Sequence, residues 1–432
     1  MKNYSKITPE GTKDYLAQES RAIRCAEKRL SSVFKSKGYE KVMTPTIEFF
    51  DVFNRESSGY NPEDLYSLTD SYGRLLVLRP DSTLPIARLV STRFQNACLP
   101  LRLYYNQNVF VRQKNLTGRS DEATQSGIEL MGAYGLRADL EVITTAVEAI
   151  ESCTSADFKL EIGHAGFFKE LCKKLNVSDD VVSEIYDCVE SRNFVSLNNI
   201  LDKIGKNDIT DCIRNLPRFF GGLEIIEKAK TIDLGDEGQK SLDYLKELYV
   251  LLVDAGLSDK IVIDLSLVNR TNYYTGIIFK FYTRGVGFPI AAGGRYDNLM
   301  GEFGAPKGAV GCALGINRIM QVYSAQISEV PSTLVFAEKN ADGLAYDTAY
   351  NLRVNGCLTE MYIGGGSFKD AEEYAKQTNN TCILRVYPDG KLTVYDYERN
   401  DTIETTVNEF LGYSEGFSMP EPTPQDMGFR RL

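Results

Sequence analysis

Residues Tyr104 to Gly132 constrain the fold more than any other stretch of the chain. Tyr104 to Val111 alternate bulky and polar side chains, as a half-buried strand does. Lys114 to Glu122 are polar and carry Gly118, which reads as a hairpin loop, and Ala123 to Gly132 return as a second strand. Side chains on a strand repeat every two residues, so Gln125 and Glu129 share one face. A carboxylate beside an amide on a concave sheet face suits a small cationic ligand that donates hydrogen bonds. An ordinary solvated hairpin is the alternative that these residues alone leave open.

A chain of 432 residues is too long for one ordinary core, so two or three domains are expected. Its net charge of −10 argues against a broad nucleic-acid surface, though not against a local basic patch. It has no apolar run of about 18 residues, so no transmembrane helix is expected. The opening MKNYSKITPEG has no apolar core of a signal peptide, so a cytoplasmic chain is expected. Nine scattered cysteines form no CxxC pair, and His164 is the single histidine. Neither a metal site nor a disulfide framework is expected, and buried free thiols are the simpler reading.

In chain order, residues 1–14 read as an extended arm. A helix from Tyr15 to Lys37 carries Ile23, Ala26, Leu30, Val33 and Phe34 on one stripe and stops at Gly38. Strands follow over Glu40 to Pro45 and Thr46 to Phe50, then a hairpin turning at Asp70 to Gly73. Asp81 or Ser82 can cap a helix over Leu84 to Arg93. Arg137 to Cys153 is helical, Phe158 to Ile162 a strand, and residues 167–256 an inserted helical domain. Strands return at Ile261 to Leu267, Ile277 to Thr283, Pro289 to Gly293 and Gly308 to Leu314, and Gly315 opens a helix to Ser324. Strand and helix alternate over residues 331–413, a small α/β domain, and residues 414–432 read as a flexible tail.

Several motifs then point to one family: Gly38 to Pro45, Arg79-Pro80-Asp81-Ser82-Thr83, the central hairpin, Tyr273-Tyr274-Thr275-Gly276, Gly293-Gly294-Arg295-Tyr296-Asp297 and Gly315-Ile316-Asn317-Arg318. Over residues 1–325 the chain resembles the class II histidyl-tRNA synthetase fold. Gly163 to Phe168 and Leu216 to Gly222 make it most similar, within that superfamily, to the regulatory subunits of ATP phosphoribosyltransferase in histidine biosynthesis. The resemblance implies an α+β fold with a six-stranded antiparallel sheet flanked by helices, and places Thr44 and Pro45 near a dimer interface. It also implies a histidine pocket. Asp81 and Thr83 would meet the amino group, Gln125 the amino-acid head group, and Glu129 with Tyr273 or Tyr274 the imidazole. Residues 331–413 are similar to a shortened anticodon-binding domain, and with the acidic balance no tRNA recognition is expected.

The departures from the synthetase pattern decide the expected role. Aligned on Gly118 and Gln125, the synthetase's motif-2 arginine falls on Val111, and Arg112 is one residue off, on the other strand face. Aligned on Tyr273-Tyr274, its histidine-loop arginine falls on Asn269, with Arg270 one residue late. Arg119 and Arg318 match positions that face ATP, so nucleotide binding stays open, and for Arg318 a helix-capping or surface role is the alternative. The resemblance therefore implies a non-catalytic subunit without catalytic residues, metal or cofactor. It would dimerise, join a short-form catalytic subunit as a hetero-octamer, and transmit inhibition by histidine. An active histidyl-tRNA synthetase, or a synthetase-like regulator of another partner, are the competing readings.

Overall fold

The computed structural model describes residues 4–55, 58–113, 120–268, 273–325 and 332–413. The chain divides into two units, Met1–Gln326 and Ile327–Leu432. No helix among the described residues is long and apolar enough to cross a membrane.

In the first unit, β1 (Glu40–Lys41), β5 (Leu101–Phe110), β6 (Glu122–Met131), β7 (Phe158–His164), β8 (Phe220–Gly221), β9 (Ile261–Asp264), β10 (Ile277–Thr283), β11 (Ala291–Arg295) and β12 (Ala309–Gly315) form one sheet. Its order is β1-β5-β6-β12-β11-β10-β7-β9-β8. The central six strands, β5 to β7 in that order, are antiparallel throughout. The expected six-stranded antiparallel sheet is therefore the centre of a wider one. β1 joins its edge parallel to β5, and β9 joins parallel to β7. A separate small sheet holds β2 (Ile47–Phe49), β3 (Ser67–Thr69) and β4 (Leu75–Leu78).

Helices cover one face of the large sheet. α1 (Ala17–Ser36) buries Ala22, Ala26, Leu30 and Phe34, which lie four residues apart on one stripe. Gly38, at φ +80°, ends it in a conformation that a side chain would strain. α3 (Leu136–Cys153) packs beside α1, while α2 (Thr83–Arg93) lies in the other core. The insertion folds into α4 (Ala165–Leu175), α5 (Asp179–Glu190), α6 (Phe194–Ile204), α7 (Asp208–Arg214), α8 (Leu223–Ala229) and α9 (Gly235–Leu252). Its buried Phe167, Leu171, Leu245 and Leu248 belong to the same core as Leu160 and Ile162 of β7, so these helices share the sheet's core. Leu84, Tyr105, Tyr273 and Tyr296 belong to a second core on the opposite face of the sheet.

Several expected elements are shorter in the structure, two of them for a visible reason. The strand over Glu40 to Pro45 keeps only two residues, because Pro45 has no N–H to donate and buried Arg79 takes the carbonyls of Thr44 and Pro45 at 2.8 and 3.2 Å. The helix opened by Gly315 is α10 (Ile316–Ile319), after which Val322 is drawn to the end of α3 by a hydrogen bond from Thr154 Oγ1 at 2.5 Å.

The second unit has a five-stranded sheet in the order β14-β13-β15-β16-β17: β13 (Ser332–Ala337), β14 (Leu358–Met361), β15 (Cys382–Val386), β16 (Lys391–Asp396) and β17 (Asp401–Thr406). Its helices are α11 (Asp342–Val354), α12 (Phe368–Gln377) and α13 (Val407–Tyr413). Gly364 to Gly366 lead into α12, whose start is closed by a reciprocal Ser367–Asp370 capping box. The tail expected over residues 414–432 lies outside the described residues.

Phe34 is fully buried between α1 and Tyr104 of β5, with ring centroids 5.7 Å apart. Phe34→Ala is expected to lower the unfolding free energy by about 3–5 kcal/mol, read as a lower urea midpoint.

Candidate functional site

The site is built on β6. Its Ile128 and Leu130 enter the core with α1 and α3, so Gln125, Gly127 and Glu129 turn to the opposite face. Glu129 pairs across the sheet with Leu103 on one side and Gly311 on the other, and Gly311 pairs with Gly294. Both glycines are there for space. A Cβ on Gly311 would stand 1.8 Å from Glu129 Oε2, and one on Gly294 would stand 2.6 Å from the Tyr274 ring.

Side chains from other elements converge on that carboxyl. Thr83, the first residue of α2, donates from Oγ1 to Glu129 Oε1 at 2.9 Å, and the Tyr296 hydroxyl donates to Oε2. Asp81 caps α2 by accepting the Leu84 N–H at 3.1 Å through Oδ1, while the side chain of Ser82 caps nothing. Asp81 Oδ2 is buried and faces the Tyr60 hydroxyl, whose hydrogen bonding opposes the effect of burial on the carboxyl. Tyr105 donates to Gln125 Oε1 at 3.2 Å. The Tyr273 ring lies 4.7 Å from that of Tyr274 and 5.6 Å from that of Tyr296.

Asp81, Thr83, Gln125, Glu129, Tyr273 and Tyr274 thus gather on one face of the sheet. Tyr60, Tyr105 and Tyr296 join them, and sequence reasoning gave these three no role. Tyr296 carried a usable signal, since it stands two residues after Gly294 and so shares its face. Tyr60 comes from an irregular segment with no periodicity to read.

Two buried carboxyls dominate the electrostatics. Burial raises Glu129 to about 8, against the hydrogen bonds from Tyr296 and Thr83, and the nearby Asp81 pushes in the same upward direction. Burial likewise raises Asp81 to about 6. No arginine or lysine among the described residues forms an ion pair with either. A ligand that brings its own cation and N–H groups would supply the missing charge, each charge-assisted hydrogen bond being worth about 1.5–3 kcal/mol. No group of three or more His, Cys, Asp or Glu among the described residues could hold a metal ion.

Beside Gln125 opens a cleft of about 450 Å³ whose lining includes Val111, Thr124, Ala292, Asn317 and Arg318. Val111 lines it, whereas Arg112 lies over the Tyr66 ring at 5.1 Å. Arg318 donates to the Pro289 carbonyl at 2.6 Å and lies 5.8 Å from the Phe288 ring, so at least part of its guanidinium anchors the cleft wall. Arg119, Asn269 and Arg270 lie outside the described residues.

A family model described as histidyl-tRNA synthetase matches residues 11–319. A protein of Clostridium kluyveri named ATP phosphoribosyltransferase regulatory subunit is 38% identical over 389 residues, covering 88% of this chain and 98% of its own. One of the same name from Acetivibrio thermocellus is 33% identical over 416 residues, covering 95% of this chain and 100% of its own. A solved structure titled as an ATP phosphoribosyltransferase regulatory subunit/histidyl-tRNA synthetase from Bacillus halodurans superimposes with TM-score 0.79 at 27% identity, over 89% of this chain and 99% of that one. Histidyl-tRNA synthetase from Nostoc superimposes with TM-score 0.76 at 19% identity, over 95% of this chain and 99% of that one, a likeness of fold.

The raised carboxyls make stability depend on pH. An unfolded glutamate titrates near ~4.3, so below that value Glu129 is protonated in both states and its contribution is complete. As pH rises toward about 8 the folded chain holds a proton that the unfolded chain has lost, and stability falls. Asp81 acts in the same sense up to about 6. The melting temperature is expected to fall between pH 5 and pH 8.5, and to fall less in Glu129→Gln; equal slopes in the two proteins would contradict the assignment.

Proposed function

The chain belongs to the ATP phosphoribosyltransferase regulatory subunits of the histidyl-tRNA synthetase family, and from that premise we propose that it is a non-catalytic subunit that binds histidine at the Asp81–Glu129 site. The observation that carries the reading is the pair of buried carboxyls without a protein counter-cation, set among tyrosine rings. The histidine ammonium faces Asp81 and Thr83, its head group reaches Gln125, and its imidazole lies toward Glu129 and the Tyr273–Tyr274 pair. Glu129 can accept an imidazole N–H once one of its two present donors yields.

At the motif-2 position, the cleft supports the reading without synthetase chemistry. Adenylation puts negative charge on phosphate, and Val111, which lines the cleft, cannot stabilise it. Loss of one such charge-stabilising group commonly costs 100-fold or more in rate.

In this reading the chain activates a short-form catalytic subunit in the cytoplasm, and bound histidine biases the assembly toward a less active state. A coupling of about 1–3 kcal/mol is enough. The subunit pairs with itself and joins the catalytic subunit in a hetero-octamer. Met43, Ile47, Phe49 and Leu75, exposed at and near the small sheet, support a self-association face beside Thr44 and Pro45.

The purified chain is expected to give no histidine-dependent ATP–pyrophosphate exchange; clear exchange would make it a synthetase and sink the regulatory reading. Mixed with the catalytic phosphoribosyltransferase subunit, it should raise activity and confer inhibition by histidine. Glu129→Ala should keep the activation and lose at least tenfold in histidine sensitivity, which corresponds to about 1.4 kcal/mol or more. Unchanged feedback in that variant would remove histidine from this site.

A further inference from the structure

Adjacent residues on a strand point to opposite faces, and β11 uses this at the edge of the site. Gly294 and Tyr296 lie on the pocket face, and Arg295 between them lies on the helix face. Tyr296 reaches Glu129, while Arg295 reaches α3. We propose that Arg295, Asp139 and Tyr244 link occupancy of the pocket to α9 of the helical insertion, an inference that rests on the pocket reading above.

The link is continuous, and it is buried at Arg295 and Asp139. Arg295, 5% exposed, donates from Nη2 to Asp139 Oδ1 at 2.5 Å and from Nη1 to Asp297 Oδ1 at 3.0 Å. Asp139, fully buried on α3, accepts at Oδ2 from the hydroxyl of Tyr244 on α9 at 2.5 Å. On the pocket side, the Arg295 carbonyl accepts the N–H of Thr275, the residue after Tyr274, at 2.8 Å. The Asp297 N–H donates to Thr275 Oγ1 at 3.0 Å, which ties the two segments a second time. The aliphatic part of Arg295 fills the space a Gly276 side chain would need, at 2.9 Å from that Cβ position. Tyr274, Tyr296 and, through Tyr296, Glu129 are therefore fastened to one arginine.

A histidine that displaces the Tyr296 hydroxyl from Glu129 shifts the strand that carries Arg295. The guanidinium has little freedom to absorb that shift, because both of its terminal nitrogens are engaged. Asp139 passes it to Tyr244, whose ring also meets His164 edge-on at 5.8 Å. There the link ends at an open cavity of about 390 Å³ lined by His164, Lys169, Lys240, Tyr244 and Thr275 among others. A buried ion pair is weak support for stability but a good device for fixing one arrangement over another, as the proposed relay requires. Arg295 and Tyr244 act through other residues and are positioning residues.

The test is amide hydrogen exchange on the full chain with and without histidine, beside histidine affinity by calorimetry. In the wild type, histidine should slow exchange in α9 about tenfold. Tyr244→Phe, which removes one hydroxyl, should bind histidine within about threefold of wild type and lose that slowing. A merely structural hydroxyl would lower the melting temperature and leave the slowing intact, and that result overturns the link. The wild-type measurement decides even if the variant does not fold, since protection that stops at β6 and β11 and never reaches α9 also overturns it. No histidine binding by the wild type overturns the pocket reading instead, and the link falls with its premise.

Discussion

The hydrogen bonds that Thr83 and Tyr296 donate to the buried Glu129 carboxyl hold together the elements around the site. Thr83 starts α2, Tyr296 ends the Gly-Gly-Arg-Tyr segment, and Glu129 sits on β6 between β5 and β12. Gly311 beside the carboxyl lets the sheet accept a large polar side chain on its floor, and Gly294 leaves room for the Tyr274 ring. Burial nevertheless disfavours the charged form of Glu129 and raises it to about 8, so an ionised carboxylate here is costly without a counter-charge. A leucine of similar size would satisfy the core at less cost in desolvation. The arrangement makes sense as a binding device whose charge partner arrives from outside, and this is the strongest physical argument for a ligand here.

Period-two alternation carried the legible part of the site. Gln125 and Glu129 could be placed on one face from spacing alone, and the central hairpin ran within a few residues of its expected bounds. Asp81 was readable as a cap because a short acidic residue stood just ahead of an apolar helix. Tyr60 and Tyr105 were not readable as site residues. Their hydroxyls acquire meaning only when the chain brings Asp81 and Gln125 beside them from distant positions. The extra edge strands β1, β8 and β9 escaped notice as parts of the sheet because they are two to four residues long, too short for any periodicity. The insertion was legible as helix, but its sharing of one core with β7 was not, since amphipathic spacing shows which face is apolar and not what covers it.

The synthetase-like cleft separates binding from chemistry in simple terms. Recognition of a small amino acid needs carboxyls, hydroxyls and rings at fixed places, and the face around Glu129 has them. Activation of that amino acid needs cations where phosphate charge develops. Along the cleft Val111 supplies none, Arg112 is turned onto Tyr66, and Arg318 spends at least one N–H on the Pro289 carbonyl. The difference between Val111 and Arg112 is one residue of register, and one residue on a strand is a change of face.

The same geometry explains how a pocket with no reaction can still be consequential. A sheet is two-sided, and a strand threaded past a ligand on one face presents its alternate residues to whatever packs on the other. At β11 those alternates are Tyr296 toward the site and Arg295 toward α3 and α9. An apolar residue at position 295 would fill the core as well but would slide against its neighbours, because dispersion contacts have no preferred direction. Hydrogen bonds from a planar guanidinium do have one, and those of Arg295 reach two carboxylates and two carbonyls. Directionality of that kind is what converts a small displacement on one face into a definite displacement on the other.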